Sequence, residues 1–216
     1  ALLRAAGDGH LATFGRVEVP ALGAPFAASW NDFLRQHKPQ YLVAGGLVRV
    51  VGLFPAANLL VLLAAVLSAL AFQAVARHLR ARPEWAFAGA CAFALSPFFF
   101  HRSLSHLTLA FYWPIPLAVL VVGWAFGRRG VSPPSRRFGL AALVAVVMGF
   151  HNIYFAALFA QLLGLAALAQ WLLNRSARAA AGALALAAIL VATVLADNAH
   201  LLLPRAHEGP AAPLQR

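Results

Sequence analysis

The sequence predicts an all-α fold, a polytopic transmembrane helix bundle of about six membrane helices plus an interfacial or re-entrant helix. Three observations carry that expectation. Apolar residues make up 62% of the 216 positions and charged residues only 11%, and mean hydropathy is +0.77, a balance that a soluble globular domain does not tolerate. The apolar residues gather in runs near the roughly 17 to 25 residues that a membrane helix needs. The gaps between the runs alternate in chemistry. Arg77, Arg80 and Arg82, then Arg128, Arg129, Arg136 and Arg137, then Arg175 and Arg178 fill every second gap. His101 and His106, then His151 and Asn152, then Asp197, Asn198 and His200 fill the others. Under the positive-inside rule the arginine gaps are cytoplasmic, which collects the remaining polar chemistry on the extracytoplasmic face.

Residues 1–55 read as an extracytoplasmic loop. Pro20 and Pro25 break any continuous helix in it, and it holds Asp8, His10, Glu18, Asn31 and Asp32. Its last part, 41–54, is apolar but short and interrupted by Gly45, Gly46 and Arg49, so it is expected to lie along the interface or re-enter without crossing. Residues 56–196 form the bundle. The spans are expected near 56–76, Trp85–Phe100, 107–126, 138–150, 153–173 and 179–196. Pro97 lies near the far end of the second, and Trp113, Pro114 and Pro116 predict a kinked start to the third. Residues 197–216 read as an extracytoplasmic tail. The chain opens on Ala1 and closes on a polar stretch, so it reads as a piece of a longer protein with a span before Ala1 and more domain after Arg216.

The formal charge of +11 does not imply nucleic acid. Nine of the 17 lysines and arginines lie in the three short gaps above, where topology and anionic headgroups account for them. The partner expected from composition is the lipid bilayer. Cys91 is the single cysteine and lies inside an apolar run, so no disulfide forms within the chain.

Four polar clusters carry the chemistry. Asp8, in GDGH at 7–10, and Asp32, in NDF at 31–33, are loop carboxylates. Each is able to act as general base on a hydroxyl or to hold a divalent cation against a phosphate, and each equally suits the capping of a turn or short helix. His10 stands beside the first. Arg102 and His106 are four residues apart and share a face if helical. An arginine with a histidine suits an anionic group such as a phosphate, and solvated interfacial polarity is the plainer reading. His151, Asn152 and Tyr154 stand at a hairpin tip, and Asp197 closes the last span; each suits an interfacial polar cap as well as a site. Helix ends converging on one face are able to enclose a site.

The order of these motifs resembles a known group. GDGH, then LGAPF and NDF, then AANLLVLLAAVLSALAF, then SPFFFHRSLSHLTLAFYWPIPL, then GFHNIYFAALF resembles bacterial polytopic membrane proteins of the glycosyltransferase-like GT-C superfamily. The most specific part holds Pro97, Arg102, His106, Leu107, Tyr112, Pro116 and Leu117. The resemblance implies an enzyme of the bacterial inner membrane that moves a sugar from a polyprenyl-phosphate donor to a saccharide, lipid or protein acceptor outside. Asp8 maps to the essential acid of the first outer loop, Asp32 supports it, and Arg102 with His106 clamps the phosphate. His10, His151, Asn152 and Tyr154 complete the substrate contacts, and Mg2+ or Mn2+ is the cofactor such chemistry admits. The paired acidic motif of better-known members is absent, since Gly9 follows Asp8. The alternative is a non-enzymatic transporter or flippase of lipid-linked saccharides, which would use the same groups without a base.

Overall fold

The computed structural model describes residues 2–12, 18–19, 28–29, 36–102 and 106–201. The fold is all-α, with one short antiparallel ladder among the described residues, Glu18–Val19 against Ala28–Ser29. Among the described residues ten α-helices follow in order: α1 (Leu2–Gly7), α2 (Lys38–Val51), α3 (Leu53–His78), α4 (Pro83–Ala94), α5 (Pro97–Arg102), α6 (Leu107–Ala110), α7 (Pro114–Phe126), α8 (Arg136–His151), α9 (Ile153–Leu172) and α10 (Ala177–Asp197). Of these, α3, α9 and α10 are long and apolar enough to cross a membrane, and α7 is a shorter apolar helix. Their outer faces expose leucines such as Leu62, Leu70, Leu158 and Leu184, as suits helices solvated by lipid.

The second and third expected spans are each divided. Pro97 has no N–H to give to the carbonyl four residues back, so the helix stops at Ala94 and α5 starts anew. The freed Phe93 carbonyl accepts from the Tyr112 hydroxyl at 2.7 Å, and that hydroxyl lies 3.2 Å from Ser96 Oγ. In a medium without water an orphaned carbonyl costs several kcal/mol, and Tyr112 removes that cost. The third expected span breaks at Phe111–Trp113, and Pro114 then opens α7 at its first turn, where proline is tolerated. At the far end of α7, Gln170 Nε2 lies 2.7 Å from the carbonyls of both Ala125 and Gly127 and closes the helix. Elsewhere the hydroxyls of Ser135 and Ser176 and the amide oxygen of Asn152 cap α8, α10 and α9.

Two apolar clusters hold the bundle. One joins α7, α8, α9 and α10 around Phe159, Leu163, Leu186 and Leu190, with Ala141, Ala145, Ala166 and Ala183 between them. The other joins α1, α2 and α3 to Phe99, Phe111 and Tyr112, and Phe155 touches both. Small residues dominate because helices surrounded by lipid gain little from hydrophobic burial and associate through close packing. At Gly182 the approach is closest, with the Val131 carbonyl occupying the space a Cβ would take.

The gaps sort to two poles, in the pairs that the alternation of the sequence requires. At one, His78 meets the edge of Trp124 at 5.5 Å, the Arg137 guanidinium lies 5.8 Å from the same ring, and Arg178 donates to the Pro133 carbonyl at 3.0 Å. At the other, the start of α2 meets the α8–α9 corner and the end of α10. Helix α2 has 14 residues, about 21 Å at 1.5 Å per residue, short of the ~30 Å hydrocarbon core. Its first residues touch α10 and its last join α3 at Gly52, whose φ of 83° only glycine adopts freely. It therefore crosses the polar end of the bundle instead of running its length.

Gly182→Ala should lower the thermal midpoint of the detergent-purified protein by an amount equivalent to about 1–3 kcal/mol of overpacking. Gly164→Ala, where an added Cβ meets nothing within 4 Å, should stay within about 1 kcal/mol of the parent. Equal midpoints for the two variants would contradict the close α10 contact.

Candidate functional site

The structure divides the expected site residues into two groups. The first is built on α1. The Asp8 N–H donates to the Arg4 carbonyl and the Gly9 N–H to the Ala6 carbonyl, both at 3.0 Å, which ends α1 in a turn with Gly9 at φ 87°. Gly7 packs against Val48, where a Cβ would approach to 2.8 Å, and Gly45 lets the Ala6 carbonyl rest on α2. Arg49 Nε then donates to the Gly7 carbonyl at 2.6 Å. Both glycines of GDGH thus have a steric reason, and together they fix a turn from which Asp8 stands exposed. Asp8 is at the C-terminal end of its helix, so it is not the N-terminal cap that its residue type suggests. His10 opens a short 3-10 turn, His10–Ala12, beside it. Asp32 lies outside the described residues.

The second group is buried. Asp197 ends α10 and its Oδ1 lies 2.7 Å from Lys38 Nζ, with both side chains almost fully enclosed, at 4% and 2% exposure. Lys38 also donates to the Asp197 backbone carbonyl, so one ammonium meets the carboxylate and closes the helix end. His151 Nε2 bonds the Phe111 carbonyl, which makes that nitrogen the donor. The bare Nδ1 then accepts from Gln40 Nε2 at 3.1 Å. Asn152 Oδ1 receives the Tyr154 and Phe155 N–H groups at 2.8 and 3.4 Å, turning α8 into α9. Gln36 Oε1 accepts from Ile153 N at 3.0 Å. Burial pushes His37 down from 6.5 to about 4, helped by the nearby His151 and partly offset by the His151 backbone carbonyl and the Gln40 amide. The cluster therefore keeps His37 neutral at physiological pH.

The expectation that all outer polar clusters meet holds only in part. From Arg49, beside Asp8, to Lys38 is 11 residues of α2, about 16 Å of helix, so Asp8 does not reach the His151 cluster. Arg102 ends α5 half-buried, and His106 precedes α6 without a side-chain capping bond, its N–H donating to the Arg102 carbonyl at 2.7 Å. Tyr154 is exposed and gives only its backbone to the cap. A cavity of about 550 Å3 lies beside the buried group and reaches it through Gln40. It is walled by α1, α2, α3 and α6, mostly by Leu2, Phe54, Leu60 and Phe111, with Gln40 and His106 as polar members. Among the described residues no group of three or more His, Cys, Asp or Glu side chains is placed to hold a metal ion.

Sequence reading missed Lys38, Gln40, His37 and Gln36. One signal was present: Lys38 is the only lysine beside 16 arginines. A compact ammonium with three rotatable donors fits a point where carboxylate and carbonyl must both be met, and a planar guanidinium does not.

Removing one partner of this pair should strand a buried charge. Lys38→Met or Asp197→Leu alone should cost about 3–5 kcal/mol of stability, and the double variant should recover most of that loss. Thermal unfolding of the four proteins in one detergent checks this; additive losses would show that the two side chains do not interact.

No curated protein and no solved structure matches the chain. Residues 49–204 match the family described as Domain of unknown function (DUF6311). That match spans α3 through α10 and takes in Arg102, His106, His151, Asn152, Tyr154 and Asp197, while Asp8 and Lys38 precede it. Matched over most of its length, the chain belongs to the Domain of unknown function (DUF6311) family.

Proposed function

We propose that this protein is a glycosyltransferase of the bacterial inner membrane that moves a sugar from a polyprenyl-phosphate donor to an extracytoplasmic acceptor. In this reading about six passages cross the bilayer, formed by α3, α4 with α5, α6 with α7, α8, α9 and α10, and α2 lies at the outer interface. The observation that carries it is the presentation of Asp8. A carboxylate at a helix C-terminus opposes the helix dipole, caps nothing there, and is held exposed by two glycines and Arg49. Such a group is suited to chemistry more than to stability.

The reaction follows from the residue types. The Asp8 carboxylate takes the proton of an acceptor hydroxyl, and that oxygen attacks the anomeric carbon. The bond from that carbon to the phosphate oxygen breaks as the new bond forms, and the phosphate leaves with the electron pair. Arg102 and His106 stabilise the charge that develops on it. The apolar cavity beside His106 is of a size that holds a small ligand, within the ~300–1,000 Å3 range, and its lining suits part of an isoprenoid chain. Mg2+ or Mn2+ would assist through Asp8, with Asp32 as supporting carboxylate.

A second reading, transport or flipping of a lipid-linked saccharide, draws support from the enclosed Lys38–Asp197 pair. Ionisable groups buried in a membrane bundle are typical of translocation pathways.

Two outcomes are expected of the full-length protein in membranes. Asp8→Asn should abolish sugar transfer from a polyprenyl-phosphate donor without changing expression or melting, while Arg102→Lys should mainly weaken donor use. Transfer that survives Asp8→Asn would remove the catalytic assignment, and donor movement without transfer would favour the second reading. For topology, a cysteine at His101 should react with an impermeant thiol reagent in intact cells and one at Ser132 should not. The reverse pattern would invert the bundle.

A further inference from the structure

The arginine pole is more ordered than a topology signal requires. Orienting a membrane protein takes positive residues close to its spans, in any loop conformation. Here the connection 127–135 between α7 and α8 is fixed from several directions. Gln170 binds the carbonyls at its start. Gly130, at φ 56°, sits so close to Ala179 that any Cβ would collide. Val131 is 1% exposed against the space left by Gly182, and Arg178 donates to the Pro133 carbonyl. From this fixed connection Arg128, Arg129, Arg136 and Arg137 all project exposed. Among the described residues the acidic side chain found near this pole is Glu84, which lies 3.5 Å from Arg82 on the separate α3–α4 turn.

We propose that the α7–α8 connection is a built site for the phosphate of an anionic phospholipid. Four guanidiniums on a rigid backbone offer forked donors to phosphate oxygens in a set arrangement, which a mobile basic loop does not. A lipid is the source of the phosphate because the apolar side chains beside the arginines are exposed as well. Phe126 ends α7 at 42% exposure and Leu140 stands one turn into α8 at 47%, ready for acyl chains below the headgroup. Trp124, between Arg137 and His78, has the amphipathic ring that settles at headgroup depth. This site is at the opposite pole from Asp8 and does not depend on the transferase reading.

The test is native mass spectrometry of the full chain in detergent, titrated with dioleoylphosphatidylglycerol or dioleoylphosphatidylcholine. Phosphatidylglycerol should be retained in preference. Arg128→Gln with Arg129→Gln should lower that retention by roughly fivefold per arginine, whereas Arg80→Gln with Arg82→Gln should leave it unchanged. Gly130→Ala keeps every arginine and should still lower retention, because it displaces the connection. If that variant does not fold, Arg128→Lys with Arg129→Lys serves instead, keeping charge and losing the fork. Equal retention of the two lipids would overturn the site. So would an equal loss from the Arg80 and Arg82 pair, or full retention in the charge-preserving variant, since either would reduce the effect to net charge. Displacement of the lipid by millimolar inorganic phosphate would assign the site to free phosphate and overturn the lipid.

Discussion

Among the described residues, an enclosed ion pair sets the arrangement of the bundle. Lys38 and Asp197 are 159 residues apart and meet at 2.7 Å, joining the helix that lies across the polar end to the last helix of the bundle. A buried pair of this kind adds little net stability relative to apolar residues of similar volume, because desolvation consumes most of its attraction. Its effect is on arrangement. Once the ammonium is out of water it must meet acceptors, and the end of α10 delivers two of them, the Asp197 carboxylate and its carbonyl. With α2 fixed there, Gln36 and Gln40 of the same segment fall on Ile153 and His151. The cavity wall formed by Gln40, Tyr41 and Ala44 is set by the same placement.

The two poles use different means to settle backbone groups that water does not reach. At the polar end, the carbonyl freed by Pro97 goes to Tyr112, and the Phe111 carbonyl goes to His151. At the arginine end, Gln170 takes the last carbonyls of α7 and Asn174 Nδ2 supports its amide oxygen at 3.1 Å. Each broken helix is thus answered by a side chain from another segment, as the membrane interior demands. His151 and Asn152 therefore have structural work in addition to any contact with substrate. The Asp8 side chain has no comparable structural partner among the described residues, which separates it from His151, Asn152 and Asp197.

Much of this architecture was legible in the sequence. The alternation of arginine gaps with His, Asp and Asn gaps marked the two poles, because insertion selects charge and charge is local in sequence. Pro97 and Pro114 marked where expected spans divide, since proline acts on its own turn. The shortness of the apolar run 41–54 was legible too, while its glycines and Arg49 do not interrupt the helix, which runs unbroken from Lys38 to Val51. What local pattern does not reveal is pairing at long range. Residues 1–55 read as a loop, in which nothing singles out Lys38, His37 or Gln40, and their burial against α10 and the α8–α9 corner comes from contacts distant in sequence. The separation of Asp8 from His151 was hidden for the same reason, because shared membrane side says nothing of lateral distance along α2. Asp32 was named from sequence and lies outside the described residues.

The span of the Lys38–Asp197 link has a consequence for biogenesis. Chains emerge from the ribosome at about 5–20 residues per second, and early segments begin to fold before later ones exist. Lys38 is made first and Asp197 159 residues later, so α2 exists for many seconds before this partner from α10 has been synthesised. During that interval the contact between Lys38 and Asp197 has yet to form, and the final seating of α2 against the end of α10 waits for it. Assembly is therefore ordered by charge as well as by hydropathy. A nascent chain that stalls before Asp197 lacks the α10 contact that holds the start of α2 in its final place.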